Sequence, residues 1–269
     1  MAAYNLTIIY QQSIKGVSYE VRTAGQSRRL YTNGAFHTQF HPHRTFTYGI
    51  WDLLTIPALY VPSQLDRVQR GRKSRTDAST ALILGVGGGA AVHQCHNLLA
   101  IRHTIGIELD PQHLYLAKRF FGLKDLPGLT LVEADATEWI SRHRQRHTLL
   151  VDDLYLHAST QETRLADPVR PALPPPDRWL TTLAGRVSKN GVLIQNHLAA
   201  PTAARTIRDH RPMLSTLFAS ALLFTTPRYT NGILALYKEP VSARRMASPV
   251  RSVLQQIGRY PQFACRQLF

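Results

Sequence analysis

The chain has 269 residues, enough to bury a substantial core, and 32 Lys and Arg residues against 17 Asp and Glu residues give a formal net charge of +15. Two cysteines, Cys95 and Cys265, are too few for a disulfide framework and lack the spacing of a metal site, which favours a reducing compartment. No apolar run approaches the roughly 20 residues that span a bilayer, and the first residues lack a signal-peptide pattern, so we predict a cytoplasmic protein without a membrane segment.

The excess of basic residues raises nucleic acid as a partner. These residues are nevertheless dispersed, with modest clusters at Arg67–Arg75, Arg142–Arg146 and Arg244–Arg266, and the chain has no RNA-binding or helix-turn-helix signature. A dispersed surface charge is therefore favoured over a nucleic-acid site, and a small-molecule partner over a nucleic acid.

The first forty residues predict a small antiparallel β module. Asn5–Tyr10 and Ser18–Arg22 alternate as strands do, around a turn at Lys15-Gly16. Arg29–Tyr31 continues the pattern into Asn33-Gly34, a dipeptide typical of two-residue hairpin turns. The module leaves open a homodimer contact between two copies of the chain.

A helical segment, the gate helix, is predicted over Thr45–Tyr60, interrupted by Pro57. It offers three large apolar side chains to the core: Trp51, Leu54 and Leu59. The histidines just before it, His37, His41 and His43, have no helical register and no cysteine or carboxylate nearby in sequence. We therefore predict a solvated or substrate-facing loop there and no metal site.

Beyond a polar, basic connection at Gln64–Ser79, strands and helices alternate. The predicted strands are Ala81–Leu84, Thr104–Leu109, Leu129–Glu133, Thr148–Asp152, Val192–Gln195, Phe218–Thr225 and Ile233–Tyr237. The predicted helices are Ala90–Ala100, Pro111–Phe121, Thr137–His143, Asp177–Val187 and Thr202–Arg211, with a proline-rich loop at Pro168–Pro176. Such alternation predicts an α/β fold in which helices cover both faces of a mostly parallel sheet, with ligands at the carboxyl ends of the strands.

The glycine-rich stretch after the first of these strands is the strongest single motif. Gly85, Gly87 and Gly89 follow an apolar run and precede a helix, as in loops that bring the backbone close to a ligand. Glu108 lies roughly 20 residues on, where nucleotide-binding folds place an acid that holds the ribose hydroxyls. Asp110-Pro111 fits the cap and first turn of the next helix better. The motif predicts a nucleoside site, with a tight structural turn as the alternative.

Polar residues also close the other parallel strands. Glu133 and Asp135 follow the third strand, Asp152 and Asp153 the fourth, and Gln195 the fifth. Several acids at one sheet edge repel one another without a ligand, so a site is favoured, although Asp135 can also serve as a helix cap.

From about Leu30 to Lys238 the chain resembles the spermidine synthases, members of the class I S-adenosylmethionine-dependent transferase fold. The motifs that carry the likeness are the glycine-rich Leu82–Ala90, Glu108-Leu109-Asp110 on a Glu-Ile-Asp motif, Val151–Leu156 on a Val-Asp-Ser-Ser-Asp-Pro motif, and Pro227–Gly232 on a Pro-Thr-Tyr-Pro-Ser-Gly motif. The segment from Asn33-Gly34 to Gln39 resembles the family's Asp-Gly-x-x-Gln segment.

The resemblance implies a cofactor with an adenosyl sulfonium, either S-adenosylmethionine or its decarboxylated form, and no metal. The implied cofactor ligands are Gly85, Gly87, Gly89, Glu108, Leu109, Asp135, Ala136 and Gln39. Asp152 matches the general base, while Asp153 either assists it or caps the next element. The implied acceptor-side residues are Tyr48, Tyr155, Gln195 and Tyr229.

Three departures from the family pattern concern the acceptor. Gly88 replaces the acid that faces the amine of the decarboxylated cofactor, Tyr155 replaces the second acid of the strand-four motif, and Arg44-Thr45 replaces an Asp-Glu pair. A polyamine needs carboxylates to offset its lost hydration. We therefore predict methyl or other alkyl transfer from S-adenosylmethionine to a non-polyamine acceptor. Aminopropyl transfer and a non-catalytic nucleoside- or partner-binding descendant are the alternatives.

The predicted architecture is a Rossmann-like class I methyltransferase fold with a small N-terminal antiparallel β module. Its predicted units are residues 1–60 for the β module and gate helix, 61–80 for the connection, 81–240 for the nucleoside-binding catalytic domain, and 241–269 for a basic C-terminal extension.

Overall fold

The computed structural model describes residues 6–71, 79–99, 101–157, 169–171 and 176–269. Its N-terminal module is a four-stranded antiparallel sheet of β1 (Thr7–Ile14), β2 (Val17–Ala24), β3 (Ser27–Thr32) and β4 (Ala35–Phe40). The turns at Lys15-Gly16 and Asn33-Gly34 both have positive φ at their two central residues, as two-residue hairpin turns require. The two predicted hairpins are confirmed.

The predicted gate helix is wrong in type. The structure has two short 3-10 helices, Ile50–Leu54 and Ile56–Tyr60, and residues 45–49 are not helical. The Asp52 carboxylate accepts hydrogen bonds from the backbone N–H groups of Thr47 and Tyr48, which holds the preceding segment in a turn. Proline 57 cannot donate a backbone hydrogen bond, which disfavours a continuous α-helix. The core-facing side chains are buried as predicted: Trp51, Leu54 and Leu59.

The segment predicted as a surface connection begins with a helix, α1 (Pro62–Arg70). Leu65 is buried and Val68 packs against the core, so a narrow apolar face lies within a polar and basic sequence. Gln64 is buried as well and donates a hydrogen bond to the Leu99 carbonyl. Residues 72–78 of the predicted connection lie outside the described residues.

After α1 the chain builds the main sheet in the predicted alternation. Its strands are β5 (Thr80–Leu84), β6 (His103–Glu108), β7 (Leu129–Glu133), β8 (His147–Asp152), β11 (Val187–His197), β12 (Ser220–Thr226), β13 (Tyr229–Tyr237) and β14 (Ala264–Gln267). Between β8 and β11 in the chain, β9 (Tyr155–His157) and β10 (Val169–Pro171) form a separate two-stranded sheet. Its helices are α2 (Ala90–Asn97), α3 (Pro111–Phe120), α4 (Ala136–Arg142), α5 (Pro176–Ala184), α6 (Ala200–Leu217) and α7 (Ala243–Ile257).

The eight-stranded sheet has the order β14-β12-β13-β11-β8-β5-β6-β7. The strands from β11 to β7 are parallel, and β13, β12 and β14 are antiparallel to their neighbours. Ile83 belongs to the core on one face of the sheet, while Leu82 and Leu84 belong to the core on the other. Helices thus cover both faces, and the predicted α/β class with an antiparallel N-terminal module is confirmed.

The predicted basic extension, residues 241–269, is an integral part of this fold. Val250, Val253 and Leu254 of α7 are buried, because they form one apolar face of an otherwise basic helix. Strand β14 pairs with β12 and becomes the edge of the main sheet. Most of the predicted proline-rich loop, Pro168–Pro176, lies outside the described residues.

Candidate active site

A cavity of about 370 Å³ opens at the carboxyl edge of the main sheet. It lies where β5 and β8 are neighbours. The connection after β5 leads to one side of the sheet and the connection after β8 to the other, and open α/β sheets bind ligands at such a point. One part, the acidic half, is lined by Gly85, Val86, Gly87, Ile107, Glu108, Leu109, Asp110, His113, Ala134, Asp135, Ala136 and Thr137. The other part, the aromatic half, is lined by Phe36, His37, Ile50, Trp51, Asp153, Leu154, Tyr155, Asn196, Leu198, Tyr229 and Asn231.

The glycine-rich loop contributes Gly85, Val86 and Gly87 to the lining of the acidic half. Gly85 has a φ of +84°, and a Cβ there would overlap the backbone oxygen of Asp153, so only glycine lets the ends of β5 and β8 approach this closely. Gly87 also lines the cavity. Gly89 does not, because it begins α2 and its Cα packs against Leu123.

Glu108, at the end of β6, is fixed by the loop that faces it. Its Oε2 accepts hydrogen bonds from the backbone N–H groups of Val86 and Gly87, at 3.0 and 2.8 Å, and its Oε1 accepts one from Asp110 N–H at 3.0 Å. A carboxylate has about four acceptor positions; these N–H groups take three, and His113 Nδ1 lies 3.7 Å from Oε1, beside the fourth. Burial alone raises the pKa of Glu108, but the His113 imidazole and these N–H groups outweigh it and lower the pKa to about 2.

His113 is a buried residue of this half that the sequence motifs did not reveal. Its Nδ1 lies 3.7 Å from Glu108 Oε1, and its Nε2 lies 3.8 Å from Asp110 Oδ2 and 2.8 Å from the Thr32 hydroxyl. Burial lowers the pKa of His113, but the hydrogen bond and charge of Glu108 and the charge of Asp110 raise it above its usual range. Since Thr32 belongs to β3, this cluster joins the N-terminal module to the ribose-binding candidate.

Asp110 and Asp135 both cap helices, and both line the cavity. Asp110 accepts from Gln112 N–H at 2.8 Å, which confirms the predicted cap of α3, and also from the Tyr19 hydroxyl. Asp135 Oδ1 accepts the cap bonds of α4, whereas Oδ2 has no hydrogen-bond partner among the described residues. A donor such as an exocyclic amino group can therefore reach Oδ2.

The predicted neighbours Leu109 and Ala136 also lie at the cavity wall. Leu109 is 52% exposed, so its side chain is accessible to a flat apolar ligand face. The acidic half thus combines one acceptor for hydroxyls, one for an amino group, and an apolar contact. These two acceptors and the apolar contact together fit an adenosine moiety.

The two adjacent acids that follow β8 point to different places. Asp153 lines the aromatic half and accepts a hydrogen bond from Asn196 Nδ2 at 2.8 Å. Asp152 does not line the cavity and instead accepts from Trp179 Nε1 and Gln195 Nε2, each at 2.9 Å. Side chains alternate along a strand, so only one of two neighbours can face the ligand. The geometry therefore disagrees with the prediction that Asp152 faces the acceptor.

Burial has a large effect on both acids. It raises the pKa of Asp153 to about 7, with further increases from the charges of Asp152 and Glu108, against the opposing hydrogen bond from Asn196. It also raises the pKa of Asp152, against the opposing hydrogen bonds from Gln195 and Trp179. A carboxyl with a pKa near neutrality at the wall of a cavity is suited to proton transfer.

Tyr155 and Tyr229, the predicted acceptor-side tyrosines, line the aromatic half. The Tyr155 hydroxyl donates to the Asn196 carbonyl, and Asn231 Nδ2 donates to Asn196 Oδ1 at 2.9 Å. Asn196 thus connects the Asp153 carboxylate to the Tyr155 side. Gln195 is buried beside Asp152 and does not line the cavity, and its acceptor contact stays a prediction.

Gln39 and Tyr48, predicted to contact the cofactor and the acceptor, do not line the cavity either. Gln39 accepts a hydrogen bond from Arg29 Nε and donates one to the Thr47 carbonyl, so it links β3 and β4 to the following segment. Tyr48 has a φ of +61°, and the Arg228 guanidinium lies 5.3 Å from its ring centroid. In the structure both residues therefore lie outside the lining of the cavity.

Gly88 has no room for the acid that the resemblance expects at its position. A Cβ there would lie 2.6 Å from Cγ2 and 3.0 Å from Cβ of Thr38, and Gly88 N–H donates to the Thr38 hydroxyl at 3.1 Å. Strand β4 of the N-terminal module therefore fills the space that a side chain would occupy.

Several lining residues were missed, although two of them, Phe36 and Asn231, lie within the motif segments Asn33–Gln39 and Pro227–Gly232. Phe36, Trp51, Asn196, Asn231 and His113 reach the cavity from five separate elements, and their only common signal is position at an element end. Within the described ranges, no group of three or more His, Cys, Asp or Glu residues could hold a metal ion. In the same part of the chain, no helix has both the length and the apolar character needed to cross a bilayer.

Solved structures with this fold include both kinds of transferase. A spermidine synthase in complex with the transition-state analogue AdoDATO has a TM-score of 0.62 at 10% identity, with 95% of this chain and 80% of that chain covered. A probable spermidine synthase from Corynebacterium glutamicum has a TM-score of 0.65 at 11% identity, over 94% and 89% of the chains. Human methyltransferase-like protein 13 in complex with SAH has a TM-score of 0.60 at 17% identity, over 78% and 93%.

Sequence comparison adds a local match. Polyamine aminopropyltransferase 1 of Streptomyces coelicolor is 33% identical over 82 residues, which span 28% of this chain and 15% of that protein. No family model matches the chain. The structural likenesses confirm the predicted fold, and the sequence match to a polyamine aminopropyltransferase is confined to a small part of both chains.

Proposed function

We propose that this protein is an S-adenosylmethionine-type transferase that moves a methyl or other alkyl group to an acceptor other than a polyamine. The observation that carries the proposal is the position of Glu108 in a cavity at the switch point of the sheet, with Asp135 and the exposed Leu109 beside it. Glu108 would hold the ribose, Asp135 the adenine amino group, and Leu109 the adenine face. The related folds that hold SAH or AdoDATO support this assignment.

S-adenosylmethionine, when bound, supplies a carbon on a positively charged sulfur that is already activated for displacement. The residues of the chain then have three tasks: to orient the acceptor, to exclude water and to take up its proton. Asp153 suits the last task, because it lines the cavity and its pKa is raised to about 7. Asn196 holds its carboxylate in place. We propose Asp153, rather than the motif-matched Asp152, as the general base.

Aminopropyl transfer from decarboxylated S-adenosylmethionine is the second candidate, favoured by the local match to a polyamine aminopropyltransferase. Two features argue against it. Thr38 leaves no room for an acid at Gly88, and Tyr155 stands where the family has its second acid. The intact cofactor carries a carboxylate that an acid near Gly88 would repel, so the lack of this acid favours the intact form.

Calorimetry with S-adenosylmethionine, S-adenosylhomocysteine, methylthioadenosine and decarboxylated S-adenosylmethionine tests the proposal. We expect the adenosyl ligands to bind, and putrescine with the decarboxylated cofactor to show no turnover. Failure of every adenosyl ligand to bind would remove the cofactor assignment. Putrescine turnover at an ordinary enzymatic rate, on the order of 1–10³ per second, would establish aminopropyl transfer instead.

A further inference from the structure

Two arginines that the proposed chemistry has not yet used adjoin the aromatic half, and we call their position its rim; neither lines the cavity itself. The Arg29 guanidinium lies 5.5 Å from the ring centroid of Phe36, and that of Arg228 lies 5.3 Å from the ring centroid of Tyr48. Phe36 lines the cavity, and so does Tyr229, the chain neighbour of Arg228. Both arginines therefore stand close to the aromatic lining.

The charges of Arg29 and Arg228 both act on Tyr229. Burial raises the pKa of Tyr229, the charges of Arg228 and Arg29 lower it, and the charge of Asp52 raises it further. Among the described residues, neither arginine has a carboxylate within ion-pair distance. Two arginines outnumber the one buried carboxylate that acts on the same hydroxyl, and the pKa of that carboxylate, Asp52, is itself raised to about 7, so the potential beside Tyr229 is positive on balance.

Arg29 is held in position by the surrounding structure. Its Nε donates to Gln39 Oε1 at 2.8 Å, and Gln39 Nε2 in turn donates to the Thr47 carbonyl at 2.8 Å. A guanidinium fixed in this way retains further N–H donors for a carboxylate or phosphate group.

The lining below this rim consists largely of ring faces. Phe36 and Trp51 form an edge-to-face pair with centroids 4.9 Å apart, and Tyr31 stacks on the outer side of Phe36 at 5.1 Å. Asp153 is the one acid in the aromatic half as the described residues define it, and it accepts from Asn196. Ring faces favour a flat ligand, and the rim charges favour an anion over a cation.

Resting on the proposed transferase function, we propose that the acceptor is planar and carries a negative charge, and that Arg29 and Arg228 recognise that charge. Asp153, on the cavity wall, then accepts the proton of a neutral hydroxyl or amine on the same acceptor. Gln39 is a positioning residue for Arg29.

Isothermal calorimetry with S-adenosylhomocysteine at saturation tests this assignment with three probes of similar size. The probes are 4-hydroxybenzoate, which is flat and anionic, tyramine, which is flat and cationic, and trans-4-hydroxycyclohexanecarboxylate, which is anionic and not flat. We expect 4-hydroxybenzoate to bind about three- to tenfold more tightly than either of the others. Equal or tighter binding of tyramine, or no binding of 4-hydroxybenzoate, would overturn the proposal.

Substitution of the arginines tests whether they bind the negative charge of the acceptor. Arg29→Gln and Arg228→Gln should each lower 4-hydroxybenzoate affinity about three- to tenfold and leave tyramine affinity unchanged or higher. Arg245→Gln, an exposed arginine of α7, is the matched control. Thermal unfolding of each variant verifies that the fold is retained. A preference for the anion that survives the double variant would contradict the role of both residues.

The carboxylate at the arginines has two sources, the acceptor or the amino-acid tail of the cofactor. S-adenosylhomocysteine has this tail and methylthioadenosine does not, so their affinities for the arginine variants separate the two. We expect both affinities to be unchanged. Weakening of S-adenosylhomocysteine alone would assign the arginines to the cofactor, and displacement of 4-hydroxybenzoate by a single-stranded oligonucleotide would assign them to nucleic acid; either result overturns the proposal. If S-adenosylhomocysteine does not bind the unaltered protein, the transferase function itself fails.

Discussion

The two halves of the cavity differ in how their polar groups are arranged. In the acidic half, Glu108 is held by backbone N–H groups and His113, and Asp135 caps a helix. In the aromatic half, Asp153 stands among ring faces and asparagines, and Arg29 and Arg228 lie at the rim. The first half offers several fixed acceptors, whereas the second offers stacking surface and one acid.

This difference indicates what each half can recognise. Fixed carboxylates accept hydrogen bonds from a ribose diol and an amino group, which are common to every adenosyl ligand. A single acid beside arginines cannot offset the hydration that a polyamine loses on entering a partly buried cleft. Under the proposed function, the fold combines a nucleoside site with a separate acceptor site, and the following experiments test that division.

Loss of the proposed base should give the largest effect. We expect Asp153→Asn to lower turnover by about 10²–10⁴-fold with unchanged S-adenosylhomocysteine affinity. Because the base acts when it is deprotonated, the rate of the unaltered protein should rise as pH increases through the pKa of about 7, which a bound cationic sulfonium would lower. Steady-state rates across pH give the measurement.

Asp152→Asn is the control for that experiment, since Asp152 contacts Trp179 and Gln195 outside the cavity. It should reduce stability more than turnover per folded molecule. If Asp152→Asn abolishes turnover and Asp153→Asn does not, the motif assignment is right and the side-chain orientation described above is not the active one.

Glu108→Gln should weaken every adenosyl ligand by about 1.5–3 kcal/mol, since it removes a charged hydrogen-bond acceptor. It should leave the preference for anionic over cationic acceptors unchanged, because the arginines lie in the other half. Calorimetry measures both. Glu133→Gln is the matched control: Glu133 pairs with Glu108 across β6 and β7 but does not line the cavity. Equal losses in the two variants would refute a specific role for Glu108.

Gly88→Asp restores the acid expected at this position and should destabilise the protein by about 1–3 kcal/mol, because its Cβ would lie 2.6 Å from Thr38 Cγ2. The added change Thr38→Ala should recover part of that loss. Urea unfolding of both single variants and the double variant gives the coupling energy. Additive effects would show that Thr38 does not fill the position of the acid.

The smallest effect concerns Asp52, which orders the segment that carries Trp51. Burial raises the pKa of Asp52 to about 7, against the opposing hydrogen bonds from Thr47, Tyr48 and Gln94. A raised pKa in the folded state means that this group's contribution to stability is full below about pH 4 and is lost as pH rises through about 7. Asp52→Asn should therefore reduce the stability change between about pH 5 and about pH 8, by on the order of 1 kcal/mol. An identical change in both proteins would contradict this assignment.

Local patterns predicted most of the elements correctly. The strand Leu129–Glu133 has the predicted bounds, and the Asn33-Gly34 hairpin has the predicted turn. The segments predicted wrongly share a physical cause. In α1 and α7 a narrow apolar face lies within a polar and basic sequence, so composition suggested solvent while packing stabilised a helix. In Thr45–Tyr60 a buried carboxylate and a proline replaced α-helical hydrogen bonds with 3-10 turns.

The sequence alone determined the alternation of strands and helices, the glycine-rich loop, and the acids at the strand ends, because each depends on residues close together in the chain. Tertiary structure decided which of those acids faces the cavity. Asp152 and Asp153 are adjacent and chemically equal, and only the neighbouring Gln195, Trp179 and Asn196 separate them. It also decided that Thr38 excludes a side chain at Gly88, since that contact joins residues 50 positions apart. Such contacts depend on how the N-terminal module docks on the main sheet, which no local pattern encodes.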